Sequence, residues 1–374
     1  MDPAIHDLII ALRHRLHAHP ELSREERWTK ATLMDFLRAH TQLEVVDCGA
    51  WFYAVYHAAA PARAPLAFRA DFDALPVTEA AGRPYRSQVP GLSHACGHDG
   101  HAAALCGLAL SLEEAGADRD VFLLFQHAEE IGAGGEACAA FLRESPVTRV
   151  YAMHNMSGFP EGTVLVRDGL TQCASCGRSF YFHGQSCHAS QPEDGRNPAF
   201  AIAELTLASR RFCEDTAWPG LVMATVVHAA AGQEDFGIAA GDGRLSLTLR
   251  AARDADLARL DAMLCEEAAR LAAVYGLRWE TRRCDVFPET RNDPEAAASV
   301  REAARSLGLP LQTLDAPWRA SEDFGWYTKV RPGAMFYIGS GVDHPALHTA
   351  DYDFNDAILD TAVAMFRALI TVTP

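Results

Sequence analysis

The chain has 374 residues and a formal net charge of -16 at neutral pH, from 33 basic and 49 acidic side chains. Its hydrophobic content of 49% and charged content of 22% are those of an ordinary soluble globular protein, and its length predicts about two domains. The excess of negative charge argues against a nucleic acid or an anionic membrane surface as a partner.

The first residues, 1–7, lack the basic segment and the apolar run of an export signal, and no stretch approaches the roughly 20 apolar residues that span a bilayer. We therefore predict a cytoplasmic protein whose ten cysteines remain reduced. Cys173 and Cys176 have the spacing of redox and zinc sites. Because no second pair with this spacing completes a tetrahedral site, coincidence is the favoured interpretation.

An apolar pattern with helical spacing over residues 5–16 predicts the first helix, which ends before Pro20. Three histidines, His14, His17 and His19, lie near the end of this helix. We interpret them as solvated helix residues, with His17 as the one that could face a site.

Short apolar runs follow, and each stops abruptly at polar residues or glycine. Helical patterns over 102–114 and 135–143 separate some of them. Continuous apolar strands that alternate with helices predict an α/β fold with a buried, mostly parallel sheet. In such sheets the ligand crevice lies beyond the carboxyl ends of the strands, so the polar residues after the runs are expected to meet there. The runs are 66–68 before Asp71 and Asp73, 121–125 before Glu129 and Glu130, 150–153 before His154, and 335–338 before Gly339.

The middle of the chain has a different order of elements, βαββαβ, which is the ferredoxin-like arrangement. We therefore predict an inserted domain at residues 174–285, with the larger α/β domain divided between 1–173 and 286–374. A helix over 357–370 closes the larger domain. The elements of the inserted domain are predicted at 178–184, 198–214, 221–230, 244–251, 254–275 and 277–283.

A cluster of metal-ligand residue types lies in residues 96–101, Cys-Gly-His-Asp-Gly-His, where a turn leads into an apolar helix. The glycines let the backbone bend so that Cys96 and His98 can aim at one point. A thiolate and an imidazole suit zinc and also accept other late first-row divalent metals. The alternative is a histidine-rich helix N-terminus with Asp99 as its cap.

The pair Glu129 and Glu130 is the second feature that points to chemistry. Adjacent residues at the end of an extended strand point in opposite directions, so one carboxylate can bind a metal while the other faces the substrate. A carboxylate beside a metal-bound water can act as a general base. The alternative is a solvated acidic pair that opens a loop. His154 and His348, taken singly, are weaker candidates for ligands.

Six motifs span nearly the whole chain and, as an ordered set, are very specific. They are residues 16–22 (LHAHPEL), 69–76 (RADFDALP), 94–101 (HACGHDGH), 128–130 (AEE), 153–155 (MHN) and 352–356 (YDFND). In this order they resemble the M20 metallopeptidase family, and in particular its amidohydrolase branch. That branch includes hippurate hydrolases, aminoacylases, auxin-conjugate hydrolases and N-acetyldiaminopimelate deacetylases.

The resemblance implies a centre of two divalent metal ions per subunit. Mn²⁺ or Zn²⁺ are the expected ions, and Ni²⁺ or Co²⁺ are also compatible with the donor types. Glu129 matches the general base that activates the bridging water, and Asp73 matches the acid that supports a metal ligand. The residues that match the metal ligands are Cys96, His98, Glu130, His154 and His348.

The family fold implied by the resemblance is a zinc-peptidase-like catalytic domain with an inserted ferredoxin-like lid. The lid is usually the dimerisation surface, so we expect a homodimer. His188 matches a histidine that stabilises the oxyanion, a role that is typically worth about 3 kcal/mol of barrier lowering. Arg250 and Asn197 could hold a substrate carboxylate, since arginine binds carboxylates in bidentate fashion.

Two positions depart from the family pattern. His127 stands where many members have proline, and Gly237 stands where a lid segment commonly has asparagine. Gly237 cannot make the side-chain contact of an asparagine, which puts the acyl or carboxylate specificity in doubt. His127 could line the pocket or serve the end of the strand.

We therefore predict a cytoplasmic metallohydrolase that cleaves an N-acyl amino acid to a carboxylic acid and a free amino acid. A dipeptidase or carboxypeptidase with the same centre is the first alternative. A metal-binding module without turnover is the second, and a thiol redox protein using Cys173 and Cys176 is the third. The unligated carboxylate of Glu129 argues against a purely structural metal site.

Overall fold

Sixteen strands and nine α-helices run through residues 2–374, the part of the chain that the computed structural model describes. The helices are α1 (Pro3–Ala18), α2 (Arg27–His40), α3 (His98–Ala115), α4 (Gly135–Glu144), α5 (Ala199–Glu214), α6 (Asp254–Val274), α7 (Pro294–Ser306), α8 (Gly325–Thr328) and α9 (Leu359–Val372). The strands are β1 (Glu44–Asp47), β2 (Phe52–Tyr56), β3 (Leu66–Asp71), β4 (Val121–Gln126), β5 (Arg149–Ser157), β6 (Val164–Val166), β7 (Gly169–Gln172), β8 (Ala174–His183), β9 (Cys187–His188), β10 (Val222–Ala231), β11 (Ile238–Ala239), β12 (Asp242–Ala251), β13 (Arg278–Phe287), β14 (Thr290–Asn292), β15 (Leu311–Thr313) and β16 (Gly333–Gly341).

The chain divides into two units. The larger unit runs to Thr171 and also comprises Thr290–Pro317 and Glu322–Pro374. The smaller unit comprises Gln172–Glu289 and the short segment Trp318–Ser321. Among the described helices, none combines the length and the apolar character needed to cross a bilayer.

The larger unit is built on an eight-stranded sheet in the order β1-β2-β4-β3-β5-β16-β6-β15. Its centre, β4-β3-β5-β16, is parallel, and β3 and β4 stay in register from Leu66 beside Val121 to Asp71 beside Gln126. The predicted mixed α/β fold with a mostly parallel sheet is confirmed. The parallel register brings the carboxyl ends of these strands to one edge of the sheet.

Both faces of the central strands are buried, which explains their continuous apolar sequences. On β3, Leu66, Phe68 and Ala70 contribute to one apolar cluster and Ala67 to another. Burying each large apolar side chain stabilises the fold by about 1.5–3 kcal/mol. Arg69 is also buried, with 1% of its surface exposed, so its charge requires partners inside the protein.

Helix α1 packs on α3 and corrects our interpretation of His17, which is buried rather than solvated. Its Nδ1 lies 2.8 Å from Asp99 Oδ2, and its Nε2 lies 3.1 Å from Glu79 Oε1. Arg13, one turn earlier, also donates to Asp99 at 3.0 Å. Arg13 and His17 therefore face buried carboxylates, and periodicity of apolar residues alone does not reveal this.

The His17 contacts predict a pH dependence of stability. Burial alone lowers the pKa of His17, but Asp99 and Glu79 outweigh it and raise the pKa from 6.5 to about 9. Because the folded-state pKa is the higher one, the stabilisation is complete below about pH 6.5 and disappears as the pH rises through about 9. We expect the free energy of unfolding to fall by up to about 3 kcal/mol more in the wild type than in His17→Gln across this window.

Urea unfolding of the two proteins at several pH values measures this difference. Glutamine keeps hydrogen-bonding groups at the position but does not titrate, and all other groups are shared. Parallel pH profiles for the two proteins would contradict the assignment.

The smaller unit contains a four-stranded antiparallel sheet in the order β10-β12-β8-β13. Helices α5 and α6 pack against each other and supply the apolar core with the inward residues of the strands. Along the chain, β8-α5-β10-β12-α6-β13 has the order βαββαβ. Strand β10 is an edge strand with a mostly exposed surface, and a separate short pair joins β9 to β11.

Candidate metal centre

Four elements of the larger unit deliver polar side chains to one edge of the sheet. Asp71 is the last residue of β3, and Glu129 follows the end of β4 by three positions. His98 is the first residue of α3. His154 lies inside β5 rather than after it, which corrects the predicted strand end, because β5 continues four positions beyond the apolar run to Ser157.

The Cys96–His98 turn depends on Gly97. This residue has φ of 94°, in the left-handed region that glycine adopts without strain. A Cβ at this position would lie 2.5 Å from Asn155 Oδ1 and 2.6 Å from the Tyr352 hydroxyl. Glycine is therefore required both for the turn and for the close packing behind it. The turn directs Cys96 and His98 into the same space.

Glu129 and Glu130 lie in a turn and not on an extended strand, so the predicted alternation of their side chains is wrong. Ala128, with φ of 50°, ends the extended backbone directly before them. As a result, both carboxylates approach His98. Its Nε2 lies 3.9 Å from Glu129 Oε2 and 3.7 Å from Glu130 Oε1.

Two groups of ligand atoms share the thiol of Cys96. In the first group, Cys96 and His98 meet His154, whose Nε2 lies 3.5 Å from Cys96 Sγ. In the second, Cys96 and Glu130 meet His348, whose Nε2 lies 3.3 Å from Cys96 Sγ and 3.6 Å from Glu130 Oε2. A tetrahedral zinc ion holds a sulfur and a nitrogen ligand about 3.6 Å apart, so these spacings suit metal coordination.

The histidines present the correct nitrogen for a metal. His98 Nδ1 donates to Asp73, whose backbone oxygen is at 3.0 Å and Oδ1 at 3.1 Å, and His154 Nδ1 donates to the Asn155 carbonyl at 2.6 Å. When the two rings are neutral, as metal ligands must be, each Nε2 carries the lone pair, which is the usual arrangement of metal-ligating histidines. The Nε2 of His98 and the Oε1 of Glu130 are buried with no hydrogen-bond partner in the described protein, which a cation between them would supply.

The titration behaviour of three donors fits the same arrangement. Burial and neighbouring histidines lower the pKa of His154, and burial lowers that of His348, so both imidazoles are neutral as ligands must be. Burial and the nearby carboxylates of Glu130 and Glu129 raise the pKa of the Cys96 thiol. A bound cation reverses that effect and deprotonates a coordinating thiol.

The site carries an excess of buried acids. Burial raises the pKa of Glu129 well above its usual value, and the neighbouring carboxylates, Glu322 first, raise it further. Burial likewise raises the pKa of Glu130 to about 7, although His98 opposes this. Carboxylates this close together repel one another unless a cation lies between them. The residues present therefore fit a divalent metal.

Asp73 connects the ligands to the protein around them. Its Oδ1 accepts from His98 Nδ1, and its Oδ2 accepts from the Glu130 backbone amide at 3.0 Å and the Ser23 hydroxyl at 2.7 Å. Burial opposes ionisation, but these donors outweigh it and lower the pKa of Asp73. This buried carboxylate orients one candidate ligand through its ring and another through its backbone.

Sequence reasoning missed the ion-pair network around Arg69. The guanidinium donates to Asp71 at 2.6 Å, to Asp323 at 2.7 Å and to Gln126 at 2.9 Å, and it lies 2.9 Å from Glu322. The acids at 322 and 323 could have been noticed because, like those at 129 and 130, they are adjacent and precede a helix. Nothing local to them indicates that an arginine more than 250 positions earlier is their partner.

The other three predicted site residues belong to the smaller unit. His188 lies on β9 and is exposed, and its Nδ1 accepts from the Ser190 amide at 3.1 Å. Arg250 on β12 donates to the Arg319 carbonyl and, at 2.7 Å, to the Ser321 hydroxyl. Asn197 lies two residues before α5, and its side-chain oxygen accepts from the Ala199 amide at 2.9 Å.

The profile of the peptidase family M20/M25/M40 matches residues 67–372, which covers most of the chain and all five candidate ligands. The chain belongs to this family. It is thus an M20-family hydrolase, and the resemblance noted in the sequence motifs is confirmed.

Several known proteins are similar to the chain over nearly its full length. The N-acetyl-L-cysteine deacetylase of Bacillus subtilis is 28% identical over 369 residues, which cover 96% of this chain and 87% of the relative. Thermostable carboxypeptidase 1 of Saccharolobus solfataricus is 28% identical over 389 residues, covering 98% of this chain and 95% of the relative. The crystal structure of a dinuclear metal-binding M20 peptidase from Bacillus subtilis superposes with a TM-score of 0.82 at 25% identity, over 99% of each chain.

His127 and Gly237, the two positions that depart from the M20 pattern, lie in different surroundings. His127 is 8% exposed, and burial lowers its pKa, so its imidazole is neutral. Its Nδ1 is buried without a hydrogen-bond partner among the described residues. Gly237 forms a turn in which its amide donates to Asp235 Oδ1 at 2.8 Å and its carbonyl accepts from the Ala189 amide at 2.9 Å.

Proposed function

We propose that this M20-family hydrolase is a metal-dependent amidohydrolase that cleaves the amide bond of N-acyl amino acids. The observation that carries the proposal is the pair of ligand groups that share Cys96, with the carboxylate of Glu129 beside them. Cys96, His98 and His154 would hold one divalent ion, and Cys96, Glu130 and His348 would hold a second. Zn²⁺ and Mn²⁺ are the ions we propose, with Ni²⁺ and Co²⁺ as further candidates.

Bound divalent ions would supply electrostatic polarisation of the amide carbonyl and a lowered pKa of the attacking water. Glu129 then has the general-base role. Its carboxylate accepts a proton from the attacking water and returns it to the leaving amine. The buried, acid-rich surroundings that raise its pKa also make it a stronger base than an exposed glutamate. Asp73 holds His98 and Glu130 in place during these steps.

His188 is proposed as the donor that stabilises the oxyanion. Because the Ser190 amide can only donate, Nδ1 of His188 accepts, and the neutral ring carries its proton on Nε2. That Nε2–H is the group that would face the developing negative charge. The smaller unit is accordingly proposed as the lid of the catalytic domain, at residues 174–285.

Arg250, with Asn197, is proposed to bind the substrate carboxylate. The partners of Arg250 within the smaller unit are a carbonyl and a hydroxyl, which leave its positive charge uncompensated. Burial lowers the pKa of the guanidinium, as expected for a cation that has no acid nearby in the described part of the chain. We expect Arg250→Ala to raise KM about 100-fold with a smaller change in kcat, since a charge-assisted hydrogen bond contributes about 1.5–3 kcal/mol.

Steady-state kinetics on N-acetyl amino acids and on the corresponding amino-acid amides test this assignment. The amides lack the carboxylate, so they should be hydrolysed equally poorly by the wild type and by Arg250→Ala. An unchanged KM for the carboxylate substrates would exclude Arg250 from the binding site.

A dipeptidase or carboxypeptidase with the same centre is the alternative function. Both substrate classes have support among the relatives, since one is named a carboxypeptidase and another a deacetylase. The two substrate classes differ in the acyl part of the amide that is cleaved. In an N-acyl amino acid this part is a plain acyl chain, and in a dipeptide it carries a free amino group. A metal-binding module without turnover is the further alternative.

The deciding experiment is a panel of N-acetyl, N-benzoyl and longer N-acyl amino acids together with dipeptides. Amine release is measured with metal-stripped protein and after addition of Zn²⁺ or Mn²⁺. We expect hydrolysis of acyl amino acids only after metal is restored. Preference for dipeptides would establish the alternative, and metal binding without cleavage across the panel would favour the module without turnover.

We further propose a cytoplasmic homodimer formed through the smaller unit. The edge strand β10 supports this, since one edge of its backbone has no neighbouring strand among the described residues, and Val226 and Val227 are 43% and 61% exposed. Exposed edges of this kind pair readily with a second strand. Light scattering measures the mass of the wild type and of Val227→Lys. We expect a dimer for the wild type and a monomer for the variant, and a monomer in both cases would exclude the proposed dimer.

A further inference from the structure

The turn that carries Glu129 has an uncommon backbone at the residue before it. Ala128 is fully buried and has φ of 50°, a conformation that residues with a Cβ rarely adopt. Such residues persist where the surrounding structure holds them in place. Because Ala128 sets the direction in which the chain leaves β4, it also sets the direction of the Glu129 side chain.

A carboxylate from a distant segment holds Ala128. The amide of Ala128 donates to Glu26 Oε1 at 2.7 Å, although the two residues are 102 positions apart. Glu26 is only 6% exposed. It stands directly before α2, yet its side chain caps no amide of that helix. Its carboxylate is therefore directed at the turn and not at its own helix.

The residue after Glu129 is held in the same way. The amide of Glu130 donates to Asp73 Oδ2 at 3.0 Å, and Asp73 in turn accepts from the Ser23 hydroxyl. The backbone amides of the two residues next to Glu129, Ala128 and Glu130, are thus each anchored by a buried carboxylate. Asp73 already belongs to the candidate metal centre, whereas Glu26 has had no role in it.

We infer that Glu26 is a positioning residue for the general base, acting through the backbone amide of Ala128. Its side chain forms no hydrogen bond with a candidate metal ligand among the described residues, and its effect is to fix where the carboxylate of Glu129 stands. This inference rests on the proposed function of Glu129. Displacing a catalytic group by about 1 Å can lower a rate about 100-fold, so loss of this single bond has a measurable consequence.

Replacement of Glu26 tests the inference. We expect Glu26→Ala to lower kcat about 100-fold, while KM and the metal content per chain stay within about threefold of the wild type. Glu26→Gln retains a carbonyl oxygen that can accept from the Ala128 amide, so it should recover most of the activity. Glu26→Asp keeps the charge but shortens the reach, and it should behave like Glu26→Ala; it also serves if Glu26→Ala does not fold.

Glu21 provides a matched control in the same loop. Its carboxylate also accepts backbone amides, those of Trp28 at 3.1 Å and Thr29 at 2.8 Å, but these belong to the first turn of α2. Glu21→Ala should therefore lower the melting temperature and leave kcat per folded, metal-loaded chain unchanged. Equal losses of kcat in Glu21→Ala and Glu26→Ala would overturn the inference, because they would show a general effect of loosening the loop.

A double-mutant cycle separates this inference from the proposed function. In a Glu129→Gln background the base is already absent, so Glu26→Ala should cause little further loss of kcat. The same fractional loss in both backgrounds would overturn the positioning role. Wild-type activity in Glu129→Gln would overturn the proposed function and this inference with it, whereas a large loss in Glu129→Gln with none in Glu26→Ala would overturn this inference alone.

Discussion

Glu129→Gln is expected to lower kcat by about 10³–10⁴-fold, near the upper end of what a general base contributes. Glutamine has nearly the same shape as glutamate but cannot accept the proton of the attacking water. KM should change little, since the replaced carboxylate acts in the transition state and not in the binding of substrate. Kinetics of the metal-restored protein on its best acyl amino acid measure both quantities.

Metal content decides how such a loss is interpreted. The two ligand groups that share Cys96 do not require Glu129, so Glu129→Gln should bind as much metal as the wild type. Glu136→Gln, an exposed glutamate in the first turn of α4, is the matched control and should keep full activity. Retained turnover in Glu129→Gln, with metal bound, would remove the base from the mechanism.

His98→Ala is expected to have a comparably large effect by a different route. It removes a ligand from the group formed with Cys96 and His154, and it leaves Asp73 without its partner ring. Metal ions supply several kcal/mol of transition-state stabilisation, so their loss should lower kcat by about 10³-fold or more. Elemental analysis should find less bound metal per chain, and added metal should shift the melting temperature less than in the wild type.

His57→Ala is the control for the loss of a histidine as such. His57 is exposed and lies 3.0 Å from Glu44 at the surface, so its removal should change neither metal content nor activity. Full metal content in His98→Ala would show that His98 is not a ligand. Burial lowers the pKa of His98, whereas Asp71 and Asp73 raise it, so removal of this ring also changes the balance of charge inside the fold. Thermal unfolding of His98→Ala should therefore be measured beside the kinetics.

The sequence by itself determined the order of the secondary-structure elements and the kinds of candidate ligand. Apolar runs and helical periodicity are local properties, and they predicted the central strands and the βαββαβ segment to within a few residues. The Cys96–His98 turn was also local, since glycine between two ligand types already implies a tight bend. The ordered motifs assigned the family for the same reason.

The tertiary structure alone decided how the polar groups pair. The sequence predicts His17 as a solvated helix residue. In the folded chain it contacts Asp99 and Glu79, which are 82 and 62 positions away. Glu129 and Glu130 read as an alternating pair until the left-handed Ala128 turns both towards His98. Hydrogen bonds and ion pairs join side chains at any separation in the sequence, and they leave no periodicity behind. Buried charges must find partners wherever the fold provides them, so the anchoring of Glu129 becomes visible only once the chain is folded.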